Sequence, residues 1–167
     1  PESALEHPVD RIPFCFDLDD YFKRIHTLQK TAPLSVYTGV ECGMQLITDV
    51  VDKNKALCQD KEFDYIIGSL HLVDGKDPYY PSFWKNQEPA ECIQTYFEKI
   101  YDNITTFHEM DSLGHLDYIV RYAPTDYKYQ PEQFREILEA ILQTLIQKDL
   151  ALEINTSGFK TPLSRQN

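Results

Sequence analysis

Short runs of β-branched and aromatic residues alternate with longer segments of helical periodicity along the chain, and this alternation limits the possible folds more than any other feature. Strands joined by helices pair in parallel as successive βα units, whereas a sandwich needs strands joined by short turns. We therefore predict an α/β fold with parallel strands. The predicted strands are 34–40, 62–72, 115–121 and 151–155, and the predicted helices are 17–28, 43–57, 90–107 and 131–146.

Two of these helices have the clearest signals. Asp17 is predicted to cap the first one, because Asp19 and Asp20 follow in the first turn, where carboxylates favour the positive end of the helix dipole. His26 lies on this helix and is predicted to be a surface residue. Pro131 suits the first turn of the last helix. That helix carries one broad apolar stripe, formed by Phe134, Ile137, Leu138, Ile141, Leu142, Leu145 and Ile146.

The composition excludes several classes of function. With 27 acidic against 16 basic residues the net charge is -11, which argues against a protein that binds nucleic acid through its phosphates. No apolar run approaches the roughly 18 to 20 residues that span a bilayer, so we expect no membrane partner. The cysteines, Cys15, Cys42, Cys58 and Cys92, are widely separated and are predicted to be free thiols in the cytoplasm.

Polar side chains stand at or near the carboxyl ends of the predicted strands. Glu41 and His71 end two successive strands, and Glu153 and Asn155 belong to the last one. In parallel βα architectures the functional site lies at these strand ends. His115 instead opens its predicted strand, so it joins this group only if the true strand ends near residue 115.

The run 114–122 pairs His115 with Asp117 at a spacing of two, which on a strand places both side chains on one face. His7, in the proline-rich opening 6–14, completes a set of three histidines and one glutamate near strand ends. Imidazole nitrogens and carboxylate oxygens are donors that suit Zn, Mn or Fe, and a carboxylate can bridge two cations. The alternative is that each histidine caps a strand or bonds a backbone carbonyl.

Five segments follow one another along nearly the whole chain: Glu6-His7-Pro8, Gly39-Val40-Glu41-Cys42-Gly43, Gly68-Ser69-Leu70-His71, Gly114-His115-Leu116-Asp117-Tyr118-Ile119-Val120-Arg121 and Glu153-Ile154-Asn155-Thr156-Ser157-Gly158. Together they resemble the histidinol-phosphate phosphatases of the polymerase and histidinol phosphatase (PHP) superfamily. The resemblance implies part of a distorted (β/α)7 TIM-like barrel with up to three divalent metal ions. It also implies the hydrolysis of L-histidinol phosphate to L-histidinol and phosphate in histidine biosynthesis.

The resemblance also implies roles for individual residues. Glu41 corresponds to a carboxylate that bridges two metals, His71 and His115 to ligands of one of these metals, and His7 to a ligand of the third. Glu41, His71 and His115 are the expected catalytic residues, and together with His7 they are the expected metal ligands.

Three further positions receive roles around this set. Arg121 corresponds to a phosphate-binding arginine, and Asn155 to a residue that shapes the site. Asp117 has two interpretations: it orients a metal-bound histidine, or it caps a turn.

The sequence also departs from the family pattern. Family members begin with a strand carrying His-x-His and finish with a strand carrying Asp-x-His, and this chain has neither pair. We therefore expect residues 1–167 to form a single PHP-like domain that is incomplete at both ends. A barrel without its first and last strands exposes unpaired edges, so we expect the segment alone to be unstable or inactive.

The expected mechanism uses metal-activated water and no nucleophilic cysteine. Cys42 does not open a Cys-x5-Arg loop, because position 48 is Thr48. Two alternatives stay open. One is another PHP phosphoesterase acting on nucleotides or phosphotyrosine, with the segment 73–89 and its Trp84 forming the substrate pocket. The other is a degenerate, metal-free binding module. The oligomeric state is left open.

Overall fold

A parallel sheet organises the protein. The computed structural model describes residues 16–60 and 62–156, and in these ranges the strands are β1 (Gly39–Gly43), β2 (Tyr65–Ser69), β3 (Ser112–Leu113) and β4 (Ala151–Leu152). All three pairings are parallel and the spatial order is β1-β2-β3-β4. Each strand thus lies beside the next one in sequence, with a helical crossover between them. This confirms the predicted α/β fold with parallel strands.

In the described ranges, helix α1 (Leu18–Thr31) precedes β1, and the crossovers contain four α-helices: α2 (Thr48–Asp60), α3 (Pro81–Trp84), α4 (Pro89–Thr106) and α5 (Arg135–Gln147). Short 3-10 turns cover Ile119–Tyr122 and Pro131–Phe134. Asp17 caps α1 as predicted, because its side chain accepts a hydrogen bond from the backbone N–H of Asp20 at 3.0 Å. Within the described ranges, no helix has the length and apolar character needed to cross a membrane.

The core lies where α4 and α5 pack against each other and against the sheet. Fully buried large side chains on α4 meet Leu113 of β3 and Ile141 of α5. Burying each such side chain contributes about 1.5 to 3 kcal/mol. The α4 contribution comes from Ile93, Tyr96, Phe97, Ile100 and Ile104.

The apolar stripe predicted for the last helix is only partly buried. Phe134, Ile141 and Leu145 are in the core, but Leu142 and Ile146 are 41% and 79% exposed. Helix α5 packs mainly on α4, so only the part of the stripe that faces α4 and the sheet is covered. The predicted stripe is therefore too broad for the described part of the chain.

The predicted strand 115–121 is wrong. Strand β3 ends at Leu113, and the backbone then folds into turns in which Tyr118 and Val120 donate to the carbonyls of His115 and Asp117, each at 3.0 Å. The apolar residues of this run are buried by packing on the core as turns, so a strand-like composition did not require a strand. His115 consequently follows a strand end, as the other polar residues do.

The other strand boundaries also shift. The first strand was predicted at 34–40, whereas β1 begins at Gly39, and Leu34 and Tyr37 are exposed. Glu41 therefore lies within the strand rather than at its end. At the far edge β4 is shorter than predicted, so Glu153 and Asn155 follow it.

Candidate metal centre

Three donors converge at the carboxyl-terminal edge of the sheet. Glu41 is the central residue of β1, and His71 and His115 each come two residues after the end of a strand, β2 and β3 respectively. The register pairs Glu41 with Ile67 on β2. His71 follows the end of β2, so it lies beyond Glu41 in the direction in which the two parallel strands run. In the described ranges these are the three His, Cys, Asp or Glu side chains that together could hold a metal ion.

Small residues leave room for this convergence. Gly43 is in register with Ser69, and the N–H of Gly114 donates to the carbonyl of Gly68 at 2.8 Å. A Cβ atom on Gly114 would overlap the hydroxyl of Ser69 and lie 3.0 Å from Ile67 Cγ2. A glycine at position 114 is thus needed for β3 to lie close to β2 immediately before His115.

The distances between the donor atoms match those around a tetrahedral ion. The Nε2 atoms of His71 and His115 are 3.0 Å apart, and Glu41 Oε1 lies 3.2 Å from His115 Nε2 and 3.5 Å from His71 Nε2. Two ligands each about 2.0 to 2.1 Å from a tetrahedral zinc ion are separated by about 3.3 Å. The three donor atoms therefore lie at distances that suit a divalent cation.

The chemistry of the donors also fits a cation. Only one proton can lie between the two facing Nε2 atoms, so at least one of them presents a lone pair to the cluster. The contacts of Glu41 with His115 first, and with His71 second, hold the pKa of Glu41 well below its usual range, although partial burial opposes this shift. The cluster thus combines an ionised carboxylate with imidazole nitrogen, the donor set of catalytic zinc sites.

Burial fixes the orientation of His115. Its side chain is 9% exposed, whereas His71 is 30% exposed. The Nε2 atom of His115 faces Glu41 and His71, whereas its Nδ1 atom is buried and has no hydrogen-bond partner among the described residues. The more exposed His71 forms the open side of the cluster.

Tyr118 forms an aromatic wall beside both histidines. Its ring centroid lies 5.2 Å from that of His71 and 5.1 Å from that of His115. Its hydroxyl donates to Asp77 Oδ1 at 3.0 Å. Burial first, and the Asp77 charge second, raise the pKa of Tyr118 far above its ordinary value, so the hydroxyl stays protonated. The segment 73–89, which contains Asp77, is therefore linked to the site through this tyrosine.

Glu153 has a role that sequence reasoning did not assign. Its Oε2 atom accepts a hydrogen bond from the backbone N–H of His115 at 2.7 Å, and Asn155 Nδ2 donates to the same oxygen at 3.4 Å. The position of Glu153 near a strand end was recognisable in the sequence. Its partner was not, because the predicted strand 115–121 placed His115 at the wrong end of its strand.

Asp117 and Arg121 form an ion pair with each other. Arg121 Nη2 donates to Asp117 Oδ1 at 2.8 Å, and the backbone carbonyl of Asp117 accepts from Val120. The expected shared strand face for His115 and Asp117 is wrong, because a turn separates them. The second interpretation of Asp117, that it holds a turn, fits this geometry. The phosphate-binding role of Arg121, whose side chain is 9% exposed, stays a prediction.

Two further histidines, His7 and His26, were assessed from the sequence. His7 lies outside the described residues, so its role as a metal ligand stays a prediction. His26 is exposed on α1 beside Phe22, as predicted.

The fold and the donor cluster define the class of protein. A family model for the PHP domain matches residues 6–157. The chain belongs to the PHP domain family.

Individual relatives are more specific. The chain is similar to a probable histidinol-phosphatase of Clostridium acetobutylicum, with 32% identity over 153 residues that cover 91% of this chain and 58% of the relative. It is equally similar to the histidinol-phosphatase of Lactococcus lactis, with 32% identity over 157 residues, 92% of this chain and 58% of the relative. The chain thus spans about three-fifths of the length of these relatives.

A solved structure shares the fold. The crystal structure of the Lactococcus lactis histidinol phosphate phosphatase, complexed with Zn, L-histidinol and phosphate, matches with a TM-score of 0.83 at 31% identity. The match covers 93% of this chain and 60% of that chain. It confirms the predicted family and its α/β architecture.

Proposed function

We propose that this protein is a metal-dependent phosphomonoester hydrolase that converts L-histidinol phosphate to L-histidinol and phosphate in histidine biosynthesis. The observation that carries the proposal is the cluster of Glu41, His71 and His115, whose donor atoms lie 3.0 to 3.5 Å apart in a PHP domain. Two similar proteins bear the name histidinol-phosphatase, and a structurally similar one binds Zn, L-histidinol and phosphate.

The chain's own residues would hold the metal. His71 and His115 would each supply a neutral Nε2, and the ionised Glu41 would bridge two cations. A bound divalent cation, Zn, Mn or Fe, supplies hydroxide from water near neutral pH and balances the negative charge of the phosphate. His7 is proposed to contribute to a third ion of the set.

Aromatic rings line one side of the donor cluster. The rings of Tyr118 and the two histidines pack together, which shields one side of the donors from water. The Tyr118 hydroxyl is neutral near neutral pH, so this residue would not add a negative charge that repels the phosphate. Arg121 is proposed to contact phosphate oxygens, with Asp117 fixing its guanidinium through their ion pair.

The overall charge of the protein is compatible with an anionic substrate. A net charge of -11 gives no general attraction for phosphate, so the attraction would be local, from the metal ions. The same negative charge disfavours nucleic acid as a partner. Cys42, Cys58 and Cys92 are free thiols, which supports a cytoplasmic location.

Phosphate release is the direct test. The purified protein is stripped with a chelator, assayed with L-histidinol phosphate, and assayed again after addition of Zn²⁺ or Mn²⁺. We expect turnover only with metal, and its loss in His71→Ala. His26→Ala removes an exposed histidine from α1 and serves as the matched control, with activity unchanged.

Parallel assays with a nucleoside monophosphate and a phosphotyrosine peptide test the substrate. Preference for either over L-histidinol phosphate would overturn the proposed substrate while leaving metal-dependent hydrolysis intact. Absence of turnover with every substrate and metal would overturn the catalytic assignment for this chain and would indicate either a fragment of the enzyme or a degenerate binding module.

A further inference from the structure

The hydrogen bond between Glu153 and His115 stands where the β3-β4 ladder ends. Along this edge Ala151 N–H donates to the carbonyl of Asp111 and Glu153 N–H donates to the carbonyl of Leu113, both at 2.9 Å. The next bond of a parallel ladder would run from His115 N–H to the backbone carbonyl of Glu153. The side-chain carboxylate of Glu153 accepts that bond instead, at 2.7 Å.

Use of the Glu153 side chain as the acceptor affects the path of the backbone at His115. His115 is 8% exposed, and a buried backbone N–H needs an acceptor. Because the side chain of Glu153 accepts the His115 N–H, the backbone can leave the sheet at Gly114 and turn. His115 then stays bonded to Glu153, the residue that follows β4. The imidazole then extends from an anchored backbone towards Glu41.

We infer that Glu153 is a positioning residue for the metal centre: through the backbone N–H of His115 it sets the place of His115 Nε2 relative to Glu41 and His71. The inference rests on the proposed metal centre. Asn155, which donates to the same carboxylate oxygen at 3.4 Å, supports the orientation of Glu153. Glu153 itself does not bind the metal in this account.

Three substitutions at one position separate the hydrogen bond from the charge. Glu153→Gln keeps an acceptor oxygen at the same reach but removes the charge. Glu153→Asp keeps the charge but withdraws the oxygen by one methylene. Glu153→Ala removes both. If the hydrogen bond matters, the Gln variant resembles the wild-type protein and the Asp and Ala variants do not.

Metal affinity is measured by calorimetric titration of the chelator-stripped proteins with Zn²⁺. We expect Glu153→Ala and Glu153→Asp to bind about 10- to 100-fold more weakly, as for other residues that orient metal ligands. We expect Glu153→Gln to stay within about two- to fivefold of wild type, since a neutral acceptor forms a somewhat weaker bond.

The hydrogen bond to His115 is also measured in the absence of metal. Hydrogen exchange of the His115 amide is measured in the stripped proteins by NMR. The amide is expected to be protected in the wild-type and Gln proteins and to exchange faster in the Asp and Ala proteins. If Glu153→Ala fails to fold, the Gln and Asp pair still decides the question.

A remote variant controls for general destabilisation. Lys148→Met removes a contact between α5 and the end of α4 and is expected to lower thermal stability without changing Zn²⁺ affinity. Equal loss of affinity in Lys148→Met and Glu153→Ala would overturn the inference. So would wild-type affinity in Glu153→Asp, or a Gln variant as weak as the Ala variant, which would indicate that charge or direct ligation is what matters.

Different results would overturn the role of Glu153 and the proposed function. Wild-type protein that binds no Zn²⁺ overturns the metal centre itself. Wild-type protein that binds Zn²⁺ but does not hydrolyse L-histidinol phosphate overturns the proposed substrate and leaves the role of Glu153 to be decided by the three variants.

Discussion

The Nε2 atoms of His71 and His115 face each other across 3.0 Å, although the two residues come from different strand ends and are separated by 43 intervening positions. Two imidazole nitrogens at this distance, with a carboxylate oxygen 3.2 and 3.5 Å away, would compete for too few protons. A divalent cation accepts all three lone pairs at once. The same parallel register that builds the sheet thus builds the proposed metal site.

Replacing the carboxylate is expected to weaken metal binding strongly. Glu41→Gln keeps the size of the side chain but removes its charge, and an amide is a poor metal ligand. We expect Zn²⁺ affinity to fall by more than about 100-fold, because losing a ligand costs more than losing a residue that orients one. Calorimetric titration measures it. Glu139→Gln, an exposed α5 position paired with Arg135, is the control and should bind as wild type.

Gly114→Ala is expected to damage both stability and the site. The added Cβ would overlap Ser69 Oγ and press on Ile67. Overpacking of this kind costs about 1 to 3 kcal/mol in the free energy of unfolding. It should also weaken Zn²⁺ binding, because His115 is the next residue. Urea unfolding and metal titration measure the two effects.

A second substitution checks the cause assigned to Gly114. Ser69→Ala removes the oxygen that the new Cβ would meet, so the double variant should recover part of the stability lost in Gly114→Ala. Additive losses in the double variant would contradict the steric explanation.

Lys148 joins α5 to the end of α4. Its ammonium donates to the carbonyls of Ile104 and Thr105 at 2.7 and 3.1 Å, and it lies 2.9 Å from His108 Nδ1. These carbonyls have no helical partner at the end of α4, so a cation there is favourable. We expect Lys148→Met to lower the free energy of unfolding by about 1 to 2 kcal/mol. Urea unfolding tests this, and a loss no larger than in the exposed Lys128→Met would contradict it.

Asp64 gives the protein a defined acid sensitivity. Thr38 donates to its carboxylate through the backbone N–H at 2.6 Å and through the hydroxyl at 2.8 Å, and the backbone bond contributes most to lowering the pKa of Asp64. A carboxylate with a lowered folded-state pKa stabilises the protein above its unfolded pKa of about 3.9. That stabilisation is lost as the pH falls through the folded-state pKa.

The comparison with Asp64→Asn tests this sign. The thermal unfolding temperature of the wild-type protein should exceed that of the variant near neutral pH. The gap should shrink as the pH falls below the unfolded pKa of about 3.9 and through the lowered folded-state pKa of Asp64, because the carboxylate is then protonated. Melting curves recorded at each pH that keep a constant gap would show that the hydrogen bonds to Thr38 do not depend on the charge.

Much of this architecture was predictable because helices and parallel strands leave local patterns. The α4 helix, the Asp17 cap and the position of His71 just past β2 all follow from residues close together in sequence. The strand-end pattern and the run 114–122 indicated Glu41 and His115, and the resemblance to a family implied their roles as metal ligands. These signals are local or motif-like, so a single sequence reveals them.

The rest depended on contacts between distant segments. The run after Gly114 has strand-like composition, yet it forms turns, and the His115 N–H that a ladder would have used donates to Glu153, 38 positions after His115. The pairing of Arg121 with Asp117 follows from those turns. Likewise, the exposure of Ile146 reflects which surfaces α5 actually meets, and no periodicity in α5 alone reports that.

The location of the metal is the most direct test of the account. Crystals of the protein grown with Zn²⁺ are measured on both sides of the zinc absorption edge, and anomalous difference maps locate the ion. We expect a peak about 2.0 to 2.1 Å from His71 Nε2, His115 Nε2 and a Glu41 oxygen. Zinc bound only elsewhere, or zinc binding that persists unchanged in His71→Ala, would contradict the central claim that these three residues form the metal centre.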